Sequence, residues 1–94
     1  MDERYVIVRT LSAGCFAGVL VSREGKEVAL RDARRLWYWA GAASLSQLAA
    51  EGTKRPGDCK FPTPVAVTLT EAIEVIETTP EARASIESVP VWSA

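Results

Sequence analysis

The residues best equipped for chemistry stand in one stretch, Arg34-Arg35-Leu36-Trp37-Tyr38-Trp39. Guanidinium groups grip phosphate or carboxylate as planar forks of donors, and indole and phenol rings offer faces on which a base can stack. On an extended strand, alternation puts Arg35, Trp37 and Trp39 on one face and Arg34, Leu36 and Tyr38 on the other, so each face joins a cation to aromatic surface. The chain then runs through Gly41 to Ser44, which has the form of a helix N-cap, where unpaired N–H groups and the helix dipole favour an anion. Ser12 and Gly14, in a neighbouring turn, complete a candidate ligand site of Ser12, Gly14, Arg34, Arg35, Trp37, Tyr38, Trp39 and Ser44. The guest these residues suit is a small nucleotide-type molecule, with Arg34 and Arg35 on its phosphate and Trp37, Tyr38 or Trp39 on its base. The competing expectation is that Trp37 and Trp39 are core and the two arginines are ion-paired surface.

Other common chemistries lack their residues. The 94-residue chain has no histidine, which removes the commonest general base, the usual zinc nitrogen ligand and every Ser-His or Cys-His nucleophile. Cys15 and Cys59 are isolated, without C-x-x-C spacing, and are expected to be packing or loop residues. Glu71, Glu74, Glu77, Glu81 and Glu87 have the spacing of a solvated strand and helix face and make no metal or glycosidase pair. Neither a Walker lysine motif nor G-x-G-x-x-G is present. No catalytic residue, metal site or cofactor is expected, and the reading is of a non-enzymatic protein.

The elements that must position the stretch follow from periodicity. Tyr5–Leu11 is β-branched and aromatic and reads as a strand, Ser12-Ala13-Gly14 as a tight turn, and Cys15–Ser22 as a second strand whose Gly18 suggests a bulge or close backbone approach. Arg23–Lys26 turns into a third strand, Glu27–Leu30. Arg31-Asp32 reads as a short turn before a fourth strand, Ala33–Trp39, since three consecutive aromatics favour extended backbone. Ser44 with Gln47 forms a capping box for a short helix that Gly52 closes, and Thr53–Pro64, with three of the five prolines, is an irregular loop. Val65–Leu69 and Ala72–Glu77 are two further strands. Thr79-Pro80 starts a helix to about Ser88 with Ala82, Ile86 and Val89 on one face, and Trp92 should pack on the domain or a neighbour.

The fold class is therefore α+β: a small antiparallel β-sheet or open barrel with two short helices, in one β-rich domain over residues 1–94. A core of this size supplies only a few kcal/mol, about 3–5, so a homo-oligomer is expected. Eleven basic and twelve acidic side chains give a net charge of −1, against the broad positive field of a non-specific nucleic-acid binder. The acidic start Met1-Asp2-Glu3 lacks a signal-peptide pattern, no apolar run is long enough to span a bilayer, and a cytosolic protein with free thiols is the expectation.

Four stretches carry a resemblance. They are Tyr5–Gly14, Asp32–Ala42 with its Ala-Arg-Arg-Leu-Trp-Tyr-Trp block, Ser44–Ala49 and Leu69–Ile76. Together they resemble a family of small bacteriophage and prophage proteins known only as a domain of unknown function. The resemblance implies a phage or prophage origin and action in the host bacterial cytoplasm, and it brings no catalytic residues. Small phage proteins of this kind often act by binding. The two functions expected are sequestration of a small (cyclic) nucleotide signal of host defence, and protein–protein interaction as a host-enzyme inhibitor or virion accessory, with the aromatics as hot spot or oligomer seam.

Overall fold

A computed structural model describes residues 3–93. Its elements are β1 (Tyr5–Thr10), β2 (Cys15–Glu24), β3 (Glu27–Arg35), α1 (Leu45–Glu51), β4 (Val65–Leu69), β5 (Ala72–Glu77) and α2 (Pro80–Ser88), with one short 3-10 turn at Pro56–Asp58. All strand pairs are antiparallel, in the order β4-β3-β2-β1-β5. The architecture is thus an α+β domain built on a five-stranded antiparallel sheet that is not closed into a barrel.

Connectivity forces that sheet to curl. β4 and β5 occupy opposite edges but are joined only by Thr70 and Glu71. In a flat sheet of five strands the edges would stand about 19 Å apart, at roughly 4.8 Å per strand. Three Cα–Cα steps reach at most about 11 Å. The edges therefore converge at this corner, where Leu11 N–H donates to Glu71 O and Ala72 N–H to Lys26 O.

Alternation along the strands fills both faces of the curl. Tyr5, Ile7, Ala17 and Val19 point to the helix side, where they pack with Leu48 and Ala49 of α1, Ile86 of α2, Leu36, Cys59, Phe61 and Val89. Val6, Val8, Phe16, Val28, Leu30, Ala33 and Leu69 fill the concave side. Burial on two sides explains why β1 is almost continuously apolar. Both helices begin as their sequences indicate: Ser44 Oγ accepts from Gln47 N–H and Thr79 Oγ1 from Ala82 N–H, with Pro80 at the first position of α2. Gly18 marks a close approach, since a Cβ there would lie 2.8 Å from Ala33 Cα. Among the described residues no helix is long and apolar enough to cross a membrane.

Two expectations about β3 need correction. Arg31-Asp32 is not a turn: the strand runs unbroken from Glu27 to Arg35, with Asp32 at φ 50° in a bulge between Leu30 and Ala33. Asp tolerates the left-handed region better than most residues, which lets the bulge form without ending the strand. The fourth strand expected over Ala33–Trp39 does not exist as such. Its first half is the end of β3, and beyond Leu36, whose N–H donates to Cys15 O, the chain leaves the sheet. Trp37–Trp39 are held instead by one bridge, Tyr38 to Lys60.

Candidate functional site

The bulge at Asp32 decides what the two adjacent arginines do. It resets the alternation, so that Leu30 and Ala33, three apart, both face the concave side. Arg34 is thereby turned towards the helices and Arg35 towards Phe16.

Arg34 is a structural clamp between β3, the Phe61–Pro62 segment and the end of α2. It is only 3% exposed. Its Nε donates to Pro62 O (3.3 Å), Nη1 to Ile86 O (3.1 Å) and Val89 O (2.6 Å), and Nη2 to Phe61 O (2.7 Å) and Pro90 O (3.4 Å). A guanidinium has five N–H groups, and here five bonds use them. The carbonyls of Ile86 and Val89 belong to the C-terminal end of α2, where a cation is favoured by the helix dipole. Burial pushes the Arg34 pKa below its ordinary value. The expected phosphate role of Arg34 would need donors that are here spent on backbone carbonyls.

Arg35 is the arginine left free. It is exposed, has no carboxylate partner among the described residues, and lies 4.4 Å over the Phe16 ring. Its Nη1 donates to Ala13 O at 2.7 Å, which docks it on the β1–β2 turn. That turn is rigid: Thr10 Oγ1 donates to Gly14 O at 2.7 Å and accepts from Ala13 N–H at 2.9 Å. Ser12, Gly14, Arg35 and Trp37, four of the eight expected residues, line one open cleft of 320 Å³ with Ala13, Cys15 and Leu36. A second cleft of 170 Å³, also lined by Ser12 and Arg35, reaches Phe16, Leu69 and Glu71.

The aromatic run splits in two. Trp39 is half-buried against the helix-side core, so it is packing. Trp37 and Tyr38 are 64% and 52% exposed. Trp37 faces Trp92 with ring centroids 6.5 Å apart and planes 9° from parallel. Lys60 Nζ lies 5.5 Å from the Trp92 ring centroid and 6.0 Å from that of Tyr38, within cation–π range of both. Backbone bonds fix this arrangement: Lys60 N–H donates to Tyr38 O at 2.7 Å, and Trp92 N–H to Phe61 O at 3.1 Å. Trp92 and Lys60 were outside the expected site. Trp92 carries the signal of a large aromatic that packs on the domain or a neighbour, but nothing local to Lys60 marks it, since the Tyr38 bridge brings it in from 22 residues away.

Ser44 does not join the site. Its hydroxyl accepts from Gln47 N–H at 3.2 Å while Gln47 Oε1 accepts from Ala43 N–H at 2.8 Å, so the capping box satisfies the start of α1 from within. It lines neither cleft. Of the remaining chemistry-bearing residues, Cys59 is buried in the core and Cys15 is half-buried, with its thiol pKa pushed up by burial. The five carboxylates singled out are all exposed, three of them in ion pairs: Glu74 with Arg9, Glu77 with Arg4 and Glu87 with Arg83. Among the described residues no group of three or more His, Cys, Asp or Glu could hold a metal ion.

What the fold and the site define is a small α+β domain that displays a cation-flanked aromatic patch beside the β1–β2 turn. The chain belongs to the DUF6948 family, a domain of unknown function, whose model matches residues 3–86. No curated protein and no solved structure matches it.

Proposed function

We propose that this protein is a non-catalytic protein-interaction module whose docking surface is Trp37, Tyr38 and Trp92, flanked by Arg35 and Lys60, and whose partner presents an acidic face. The observation that carries the reading is the exposure of Trp37 and Tyr38 on backbone tied down at both sides. Large aromatics left in water cost a small domain core packing, and rigid display lowers the ordering cost of binding, which is how interface hot spots gain their energy. Arg35 and Lys60 form no salt bridge among the described residues, so an acidic partner would supply the paired charge. Following the resemblance of the Ala33–Trp39 block, we place this activity in a phage or prophage setting, in the cytoplasm of the bacterial host.

The test starts with capture from a bacterial lysate on the immobilised protein. The recovered protein is identified by mass spectrometry, purified and titrated against wild type, Trp37→Ala and Arg35→Ala. Binding that weakens in both variants supports the reading. Undiminished binding by both, or no specific protein recovered by wild type, refutes it.

A second reading, sequestration of a small nucleotide signal, is favoured by the cleft that unites Ser12, Gly14, Trp37 and the unpaired Arg35. At 320 Å³ and open to solvent it is at the low end of small-molecule sites, and Arg34 no longer contributes a phosphate contact. Calorimetric titration with cyclic and linear nucleotides decides it. Heat that disappears in Arg35→Ala supports sequestration, and a flat response across the panel removes it.

A further inference from the structure

A sheet that does not close leaves two edges, and each edge strand offers unpaired N–H and C=O groups to another strand. The two edges of this sheet, β5 and β4, differ in charge. β5 carries the exposed carboxylates Glu74 and Glu77. The residues that follow it are fastened to α1, with Thr79 N–H donating to Ala49 O and Thr79 Oγ1 to Ala50 O. β4, Val65-Ala66-Val67-Thr68-Leu69, carries no charge, and among the described residues its backbone bonds only to β3. Val65 is 53% exposed, and on β2 Val21 is 60% exposed. Val21, Ala29, Ala66 and Thr68, with Arg31 paired to Glu3 and Asp32, line an open groove of 310 Å³ beside this edge.

We propose that β4 pairs antiparallel with β4 of a second copy of this chain, joining two curled sheets into one across a twofold axis. The occupant follows from symmetry and charge. Antiparallel pairing of one strand with itself is self-complementary, so every contact is made twice. A twofold at Val67 sets Ala66 opposite the partner's Thr68 and Val65 opposite the partner's Leu69, all of them apolar or uncharged pairs that favour a sheet. Self-pairing of β5 would bring carboxylate-bearing strands together. Val65, exposed at the edge, is then covered by the partner subunit's Leu69, adding burial that a single small core lacks. This interface is separate from the aromatic patch and does not rest on it.

The test is the solution mass, by light scattering coupled to gel filtration, over a series from low micromolar to near-millimolar protein. Wild type should pass from 10.2 kDa towards twice that mass as concentration rises. The double variant Ala66→Lys with Thr68→Lys changes two exposed side chains and places like charges opposite each other at the axis. It should stay folded by circular dichroism and self-associate at least about tenfold more weakly. Glu74→Lys, on the other edge, should dimerise like wild type. A wild type that remains monomeric throughout overturns the proposal. So does a dimer unaffected by the double variant and lost in Trp37→Ala, which would put the seam at the aromatic patch.

Discussion

Replacing Arg34 by methionine keeps the length and apolar stem of the side chain and removes its five donors. The energy at stake can be counted from the acceptors. Phe61 O and Ile86 O keep a backbone donor, from Trp92 N–H and Val89 N–H. Pro90 is exposed and Pro62 half-buried, so water can reach their carbonyls, whereas Val89 is buried and would leave an unpaired oxygen. An orphaned buried carbonyl costs about 1–3 kcal/mol, and each exchanged charge-assisted bond about 1 kcal/mol more. Against this stands the relief of no longer burying a cation without a carboxylate partner, worth about 1–2 kcal/mol by analogy with buried ion pairs replaced by apolar groups. The net expectation for Arg34→Met is a loss of about 3 kcal/mol, or roughly 12–24 °C in Tm for a domain of this size. Urea unfolding followed by both far-ultraviolet circular dichroism and tryptophan fluorescence measures it, and the fluorescence should also report release of Trp92. A loss under about 1 kcal/mol with Trp92 still docked would refute the clamp, and would return Arg34 to the ligand site.

Three further outcomes are expected. The Tyr5 hydroxyl is buried without a hydrogen-bond partner among the described residues, and burial, reinforced by Glu87, pushes its pKa up to about 12. Because the folded value lies above the unfolded one of about 10, the neutral phenol's contribution is whole below pH 10 and is lost as pH rises from about 10 towards 12, by about 2–3 kcal/mol. Tyr5→Phe should abolish that alkaline loss and, by removing an unpaired group, stabilise the protein at neutral pH by about 1 kcal/mol, both read from unfolding curves across pH. Gly18→Ala should cost about 1–3 kcal/mol, since its new methyl would meet the Ala33 backbone at 2.8 Å; a neutral thermal melt would contradict the close approach. Ser44→Ala should cost about 1 kcal/mol of stability and leave any ligand or partner affinity unchanged, because its hydroxyl serves the start of α1 alone.

The sheet was legible because its signal is local. Tyr5–Thr10 and Cys15–Glu24 announce themselves by β-branched content, and the caps at Ser44 and Thr79 by residue spacing. In β3 one residue misleads: Asp32 has the character of a turn former, whereas in the strand its positive φ makes a bulge and reverses which side each later residue faces. That one shift decides which of Arg34 and Arg35 faces the helices, so alternation sets the two on opposite sides without telling which side each takes. Arg34 is a clamp because its acceptors lie 27 to 56 residues along the chain, in Phe61, Pro62 and the segment after α2. Long-range bonds of that kind leave no mark on a neighbouring residue type. The same holds for Lys60 and Trp92, which complete the patch only through bridges from Tyr38 and Phe61. Of the aromatic run, Trp37 borders both the Arg35 cleft and the Trp92 stack, while Trp39 packs on the helix-side core.

The most direct measurement is the dissociation constant of the captured partner for wild type and for Trp37→Ala with Tyr38→Ala, by calorimetry on variants whose melts match wild type. Two solvent-facing rings are removed, so the fold should survive and the affinity should fall by about thirtyfold or more. Equal affinity for a folded double variant would mean that the partner docks elsewhere, and that these exposed rings are not what the domain uses to bind.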